Sequence, residues 1–325
     1  MTDTVRAVML DPDWFGDVDE ERAHFEELLD DVVVEGIDCT DEEIPEAVGE
    51  ADLLLSHYTG VSAASMDATG CSVVARYATG VDGIDIEAAT ERGVRVTRVP
   101  EYCDEEVGTH ALTLALAAFR GLSVYDSAAA EGRWEWADAA PIPPIEEATF
   151  GVLAFGHKGS TTARKAAALG FEVCAYDPYV DDGEIEAHGV RPVDYGTLLG
   201  AADILSVHAP LTEGTEGMVD ADALARLDDD AVLVNTGRGR VIDETALVEA
   251  LENDELRAAG LDVLTREPPS AENPLLERDD VIVTPHAAWY STRTASTLRR
   301  RGTEIAVAAL NGERIGGLVN PDSLF

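Results

Sequence analysis

TFGVLAFGHKGSTTARKAAALGFEVCAYD, residues 149–177, is the stretch whose reading decides the fold. Residues 150–155 are a short apolar run with bulky side chains, which reads as a buried strand. Gly156, His157, Lys158 and Gly159 follow as a tight turn. The alanine-rich stretch 160–169 then reads as a helix, and Gly170 stops it. Residues 171–176 are a second apolar strand with Asp177 at its end. Strand, glycine turn, helix and strand in that order make a parallel βαβ unit.

The pattern resembles the dinucleotide fingerprint. Its glycines let the backbone approach a pyrophosphate, and the helix N-terminus offers free N–H groups and a positive dipole end. Asp177, 18 residues after Gly159, is placed to accept hydrogen bonds from a ribose diol, which favours NAD over NADP. The match is imperfect, since Ala154 stands in the first glycine slot and Lys158 where an aliphatic residue is usual. On this motif alone, a βαβ unit with no ligand reads the same way.

Working outward, short apolar strands are expected at 5–10, 32–37, 52–57, 72–77 and 94–99, with helices at 19–31, 41–49, 62–69 and 84–92. A long, mostly apolar helix spans 104–120, and 132–147, with Trp134, Trp136 and three prolines, reads as a loop. Beyond Asp177, strands are expected at 204–209, 231–236, 259–264 and 281–285, with helices at 221–227, 244–253 and 291–311. This alternation predicts an α/β fold of two doubly wound parallel-sheet domains. A substrate domain of residues 1–102 and 291–325 would be interrupted by a nucleotide-binding Rossmann domain of residues 103–290, with ligand in the cleft beyond the carboxyl ends of the strands.

Composition narrows the function. Asp and Glu number 64 against 23 Lys and Arg, a formal charge of −41, and the acids run the whole length. Such a surface repels nucleic acid and anionic membranes, and its self-repulsion needs counterions to screen it. We therefore expect a halophilic protein of a high-salt cytoplasm. The two lysines, Lys158 and Lys165, both fall at the nucleotide turn. No apolar run is long enough to span a bilayer, and the N-terminus has no signal-peptide pattern. Cys39, Cys71, Cys103 and Cys174 are scattered, which reads as buried thiols and supports no metal site.

Three strand ends carry candidate chemistry. VNTGRGR places Arg238 just past a buried strand, where a planar guanidinium can hold a carboxylate; Arg240 lies further into the turn. GLDVLTREPP places Asp262 inside a strand and Glu267 just past it. VIVTPHAAWY places His286 after a strand and a proline. A carboxylate clamp, a histidine able to exchange a proton near neutral pH and an acid to orient it suit hydride transfer between a nicotinamide and a 2-hydroxy or 2-keto acid.

With those residues in view, the chain resembles the D-isomer-specific 2-hydroxyacid dehydrogenases over nearly its full length. The resemblance is carried by YATGVDGIDIEAATERGVRVTRVPEYCDEEVGTHAL, GRWEW, VHAPLTEGTEGMV, NTGRGRVIDETALVEAL, AAGLDVLTREPP, NPLLERDDVIVTPHAAWYS and VNP. It is most similar to the C-terminal-binding-protein and hydroxypyruvate/glyoxylate reductase branches. The resemblance implies catalytic roles for Arg238, Glu267 and His286. It implies NAD contacts at Gly156, His157, Lys158, Gly159, Asp177, Ala209, Thr236, Gly237, Asp262 and Thr79. Substrate would meet Arg238, the backbone of Thr79, Gly80 and Val81, and Trp289. Glyoxylate or hydroxypyruvate is expected rather than phosphoglycerate, and a homodimer is expected. The alternative is an NADH-sensing protein-interaction scaffold like the C-terminal-binding proteins.

Overall fold

The protein's structure, a computed structural model, describes residues 4–320. The chain divides into two compact units, one of residues 4–102 and 291–320 and the other Cys103–Tyr290. In the first, β1 (Val5–Met9), β2 (Val32–Gly36), β3 (Leu53–Ser56), β4 (Val73–Arg76) and β5 (Arg95–Thr97) pair in parallel, in the order β2-β1-β3-β4-β5. That is the flavodoxin-like doubly wound order. The central strands β3 and β4 are buried along their whole length. A parallel sheet covered on both faces favours such mostly apolar strands, and the polar residues Ser56 and Arg76 come only at their carboxyl ends.

The C-terminal helix Thr292–Leu310 returns to this sheet and packs beside the helix Asp19–Leu28. Gly302 makes the return possible, because a Cβ there would lie 2.7 Å from the Tyr77 ring. The Tyr77 hydroxyl meets Thr303 Oγ1 at 2.8 Å. Between the two helices, Arg299 grips Glu21 with Nε to Oε1 at 2.7 Å and Nη2 to Oε2 at 2.5 Å. Glu21 is 0% exposed, so its charge depends on that fork.

The second unit holds seven parallel strands: β6 (Thr149–Leu153), β7 (Glu172–Tyr176), β8 (Arg191–Pro192), β9 (Ile204–Val207), β10 (Val232–Asn235), β11 (Ala258–Leu261) and β12 (Val281–Val283). Their order is β12-β11-β10-β9-β6-β7-β8, the Rossmann arrangement with one added strand. The helix Asp104–Phe119 buries Val107, Ala111, Leu114, Ala115, Ala118 and Phe119 in this unit. Its apolar stripe is thus largely core. Among the described residues no single helix is long and apolar enough to cross a membrane.

Some elements differ from the sequence expectation. The expected strand 150–155 ends at Leu153, and the helix expected from 160 begins at His157 with Gly156 as its N-cap. His157, Lys158 and Gly159 are therefore the first helical turn rather than a separate loop. The helices Leu122–Ala130, Asp182–Ala187 and Tyr195–Ala201 and the strand β8 have no counterpart in the expectation. They are short, and β8 is a two-residue edge strand ending in proline, so they leave little periodic signal.

The Arg299–Glu21 pair yields a prediction. Arg299→Ala leaves a buried carboxylate unpaired and should cost about 3–5 kcal/mol of unfolding free energy by urea denaturation. Arg299→Met combined with Glu21→Leu should recover most of that loss, because neither charge is then buried. Equal stabilities for the single and double variants would contradict this account.

Candidate functional site

The nucleotide turn sits between β6 and the helix His157–Ala168. Ala154 adopts φ +72°, the left-handed conformation that a glycine takes without strain and that costs an alanine about 1–2 kcal/mol. Gly159 packs on it so closely that a Cβ would lie 2.1 Å from the Ala154 carbonyl oxygen. Around Gly156, by contrast, a Cβ would meet nothing within 4 Å, so the backbone there is open to a ligand. Asp177 braces the turn from the end of β7. Its Oδ2 accepts from Phe155 N at 2.8 Å, and its Oδ1 from Tyr179 N at 2.8 Å.

Beside Asp177 lies an open cleft of about 760 Å³, lined by Asp177, Pro178, Val180, Ile185, Pro192 and Asp194 among others. Its lining is largely polar, with Asp181 and Asp182 beside Asp177 and Asp194, and the Asp177 carboxylate at the strand end is placed for a ribose diol. Lys158 heads the helix with its Nζ 3.1 Å from the Asp104 carboxylate. Lys165 lies further along the helix and pairs with Glu105 at 2.8 Å. The expectation that both lysines fall at the turn is therefore corrected: Lys165 lies well along the helix and ties it to another, while His157 and Lys158 head it.

The remaining residues stand at the carboxyl ends of neighbouring strands. After β10, Asn235 braces the turn, accepting Gly237 N at 2.9 Å and donating to Arg238 O at 3.0 Å. Gly237 lies against Ala209, where a Cβ would be 2.9 Å from the Ala209 carbonyl oxygen, so the ends of β9 and β10 touch. Arg238 is half-buried, with Nη1 donating to Gly237 O at 2.8 Å. Arg240 is exposed and pairs with Glu216. Thr236 Oγ1 lies 3.3 Å from His208 Nδ1, and Ser206 Oγ lies 2.9 Å from His208 Nε2. Burial and the nearby Lys158 push the His208 imidazole down to about 3, so it stays neutral.

The geometry then couples the arginine turn to the acid. A Cβ on Gly239 would lie 2.0 Å from the Leu264 carbonyl carbon, so that turn is pressed onto the segment leading to Glu267. Leu264 N donates to Glu267 Oε1 at 3.0 Å. The other carboxylate oxygen, Oε2, meets His286 Nδ1 at 2.7 Å. His286 has φ +51°, a strained backbone of the kind that collects at functional sites. Trp289, half-buried, stands edge-on to Tyr290 with ring centroids 5.7 Å apart.

Asp262 lies one residue beyond β11 rather than inside it, and its carboxylate is 1% exposed. Its Oδ1 accepts from Thr284 Oγ1 at 2.6 Å and Ala287 N at 2.8 Å, and its Oδ2 from Ala288 N at 3.0 Å. Burial pushes its pKa up, but hydrogen bonds from His110, Thr284 and the two amides outweigh it, and the net shift is down. The charge of Asp262 therefore stabilises the fold above the ordinary carboxylate pKa and is lost as the pH falls through the lowered one. His110 and His208 escaped sequence reading. His110 sits in a helix whose apolar pattern reads as core, and in VHAPLTEGTEGMV the sequence reading singles out only Ala209, not the His208 before it. Thr79, Gly80 and Val81 follow β4 in the first unit, where Thr79 Oγ1 donates to Val99 O at 3.3 Å.

Comparison with known proteins agrees with this arrangement. Residues 112–288 match the family model described as D-isomer specific 2-hydroxyacid dehydrogenase, NAD binding domain. The chain is 38% identical to the D-3-phosphoglycerate dehydrogenase of Mycobacterium tuberculosis over 299 residues, 90% of this chain and 56% of that one. It is 35% identical to the glyoxylate reductase of Korarchaeum cryptofilum, covering 86% of each. The structure of a D-lactate dehydrogenase with NAD+ from Lactobacillus jensenii superposes with a TM-score of 0.76 at 28% identity, covering 97% of this chain and 99% of that one. The chain spans about half the length of the phosphoglycerate dehydrogenases it matches.

The close approach at Gly239 sets an expectation for mutagenesis. Gly239→Ala should destabilise the second unit by about 3 kcal/mol in urea, because the new methyl meets backbone rather than a movable side chain. Arg240→Ala, which removes only an exposed ion pair, should change stability by less than about 1 kcal/mol. A neutral Gly239→Ala would show that the two segments are not in contact.

Proposed function

Because the chain belongs to the D-isomer specific 2-hydroxyacid dehydrogenase family, we propose that it is an NAD-dependent reductase of a small 2-keto acid, glyoxylate or hydroxypyruvate. The observation that carries this reading is the 2.7 Å contact of His286 Nδ1 with Glu267, on a segment against which the Arg238 turn is pressed. The bound nicotinamide supplies the hydride. Protonated His286 gives its proton to the carbonyl oxygen, and Glu267 fixes the ring so that Nε2 points at the substrate. Arg238 holds the carboxylate and stabilises the oxyanion as it develops. Gly156, His157, Lys158 and Gly159 would hold the pyrophosphate, and Asp177 the ribose diol. Ala209, Thr236, Gly237, Asp262 and Thr79 would line the rest of the cofactor. Thr79, Gly80, Val81 and Trp289 would complete the substrate site, with residues 103–290 as the NAD domain and the other unit as the substrate domain.

The setting of Arg76 supports an unphosphorylated substrate. Arg76 is 9% exposed, and its Nη1 is occupied by Ser56 Oγ at 2.7 Å and Thr59 O at 2.9 Å. A cation so held is poorly placed to meet a phosphate. The relatives compared are all named dehydrogenases or reductases, and nothing among them favours the scaffold reading. We further propose a homodimer in a salt-rich cytoplasm. Leu122, Trp134 and Trp136 stand 55%, 88% and 79% exposed, apolar surface that a second copy would cover.

NADH oxidation at molar KCl should proceed with glyoxylate and hydroxypyruvate. With phosphohydroxypyruvate, kcat/KM should be at least about tenfold lower, the worth of one charge-assisted hydrogen bond. His286→Ala should lower kcat by about a hundredfold or more while NADH still binds. Bound NADH without turnover on any of these acids would move the reading to the scaffold.

The salt and assembly expectations share one experiment. The thermal midpoint should rise from dilute buffer to molar KCl as counterions screen the net charge of −41. Light scattering at high salt should give twice 34.6 kDa, and the monomer mass for Trp136→Ser. Equal midpoints would remove the salt adaptation, and a monomeric wild type would remove the dimer.

A further inference from the structure

The loop that carries His286 is anchored from below by three elements of the second unit. Asp262 follows β11, Thr284 follows β12, and His110 comes from the helix Asp104–Phe119. The direction of each hydrogen bond can be assigned. Thr284 has a single hydroxyl proton, and the 2.6 Å bond to the Asp262 carboxylate uses it. What Thr284 Oγ1 presents to His110 Nε2, 2.9 Å away, is therefore a lone pair, and His110 must carry its hydrogen on Nε2. The same nitrogen lies 3.4 Å from Asp262 Oδ1.

His286 sits inside the loop so fixed. Its N–H is shared between the carbonyl oxygens of Asp262 and Thr284, each at 2.9 Å, and the next two amides bind the Asp262 carboxylate. A left-handed backbone persists only where its surroundings over-determine it. Here those surroundings are Asp262 and Thr284, and the group that orients both is His110. We propose that His110 is a positioning residue for proton transfer, holding Thr284 and Asp262 so that the loop keeps the His286 ring on Glu267. It reaches the chemistry only through those two side chains, and this role rests on the dehydrogenase reading above. His110 itself is partly exposed, lining a cavity of about 350 Å³ with Thr109, Thr113 and Lys165, so replacing it leaves the core intact.

The test is steady-state kinetics of the full chain at molar KCl with glyoxylate, alongside NADH titration by fluorescence. His110→Leu should lower kcat about tenfold, the worth of one buried hydrogen bond. The KM for glyoxylate and the NADH dissociation constant should change by less than about twofold, as expected when only the proton-transfer geometry suffers. His110→Gln keeps an N–H at the ε position and should return kcat to within about threefold of wild type. Thr284→Val should repeat the loss, and Thr284→Ser should not. Unchanged kcat in His110→Leu, or equal loss in His110→Gln, would overturn the positioning role. A wild type that binds NADH but reduces no 2-keto acid would instead overturn the dehydrogenase reading.

Discussion

The two oxygens of Glu267 face different tasks, and the candidate site depends on both being occupied. One accepts the amide of Leu264, which fixes the carboxylate to its own backbone. The other meets His286 Nδ1, which fixes the imidazole to the carboxylate. Leu264 is also the residue on which Gly239 rests, so the turn bearing Arg238 is registered against the same short segment. A guanidinium, a carboxylate and an imidazole, 48 residues apart in sequence from first to last, are thereby referenced to one stretch of backbone. Rigid backbone of this kind keeps reacting groups within the tolerances that proton and hydride transfer need.

The sheet makes such an arrangement possible. In a parallel sheet every strand delivers its carboxyl end to the same edge, so the residues after β9, β10, β11 and β12 are neighbours by construction. The close approaches at Gly237 and Gly239 then remove the remaining freedom between adjacent turns. Glycine is required at those two positions because carbonyl groups occupy the space where a Cβ would stand.

Much of this was legible in the sequence, for a physical reason. A strand buried on both faces is mostly apolar, and β3, β4, β9 and β10 are fully buried with three apolar residues out of four each, so the sheet strands announce themselves. Arg238, Glu267 and His286 drew notice because polar groups in the turns that follow such strands gather at one sheet edge, and the structure brings Glu267 and His286 into contact. The short helices after Asp177 and the edge strand β8 were not legible, since neither is long enough to show a period. His110 was hidden by its company: its helix is read by its apolar face, and a polar residue there draws no attention until Thr284 is seen beside it. Ala154 shows a different limit. The sequence marks it as a departure from glycine, but only the backbone shows that it takes the glycine conformation anyway and bears the strain.

The acidity of the chain bears on how the site must work. At about 1 M salt the screening length falls to about 3 Å, so charges separated by more than a hydrogen bond scarcely feel one another across solvent. Long-range steering of an anionic substrate or cofactor, which a charge of −41 would otherwise oppose, is then suppressed along with the repulsion. What survives is direct contact: His286 on Glu267 at 2.7 Å, Thr284 on Asp262 at 2.6 Å, and the Asp177 carboxylate on the amide of Phe155 at 2.8 Å. A protein that works in such a medium can carry a strongly acidic surface without repelling its own ligands, provided every recognition element in the site acts at hydrogen-bond range. The contacts that hold the residues gathered at the strand ends are of that range.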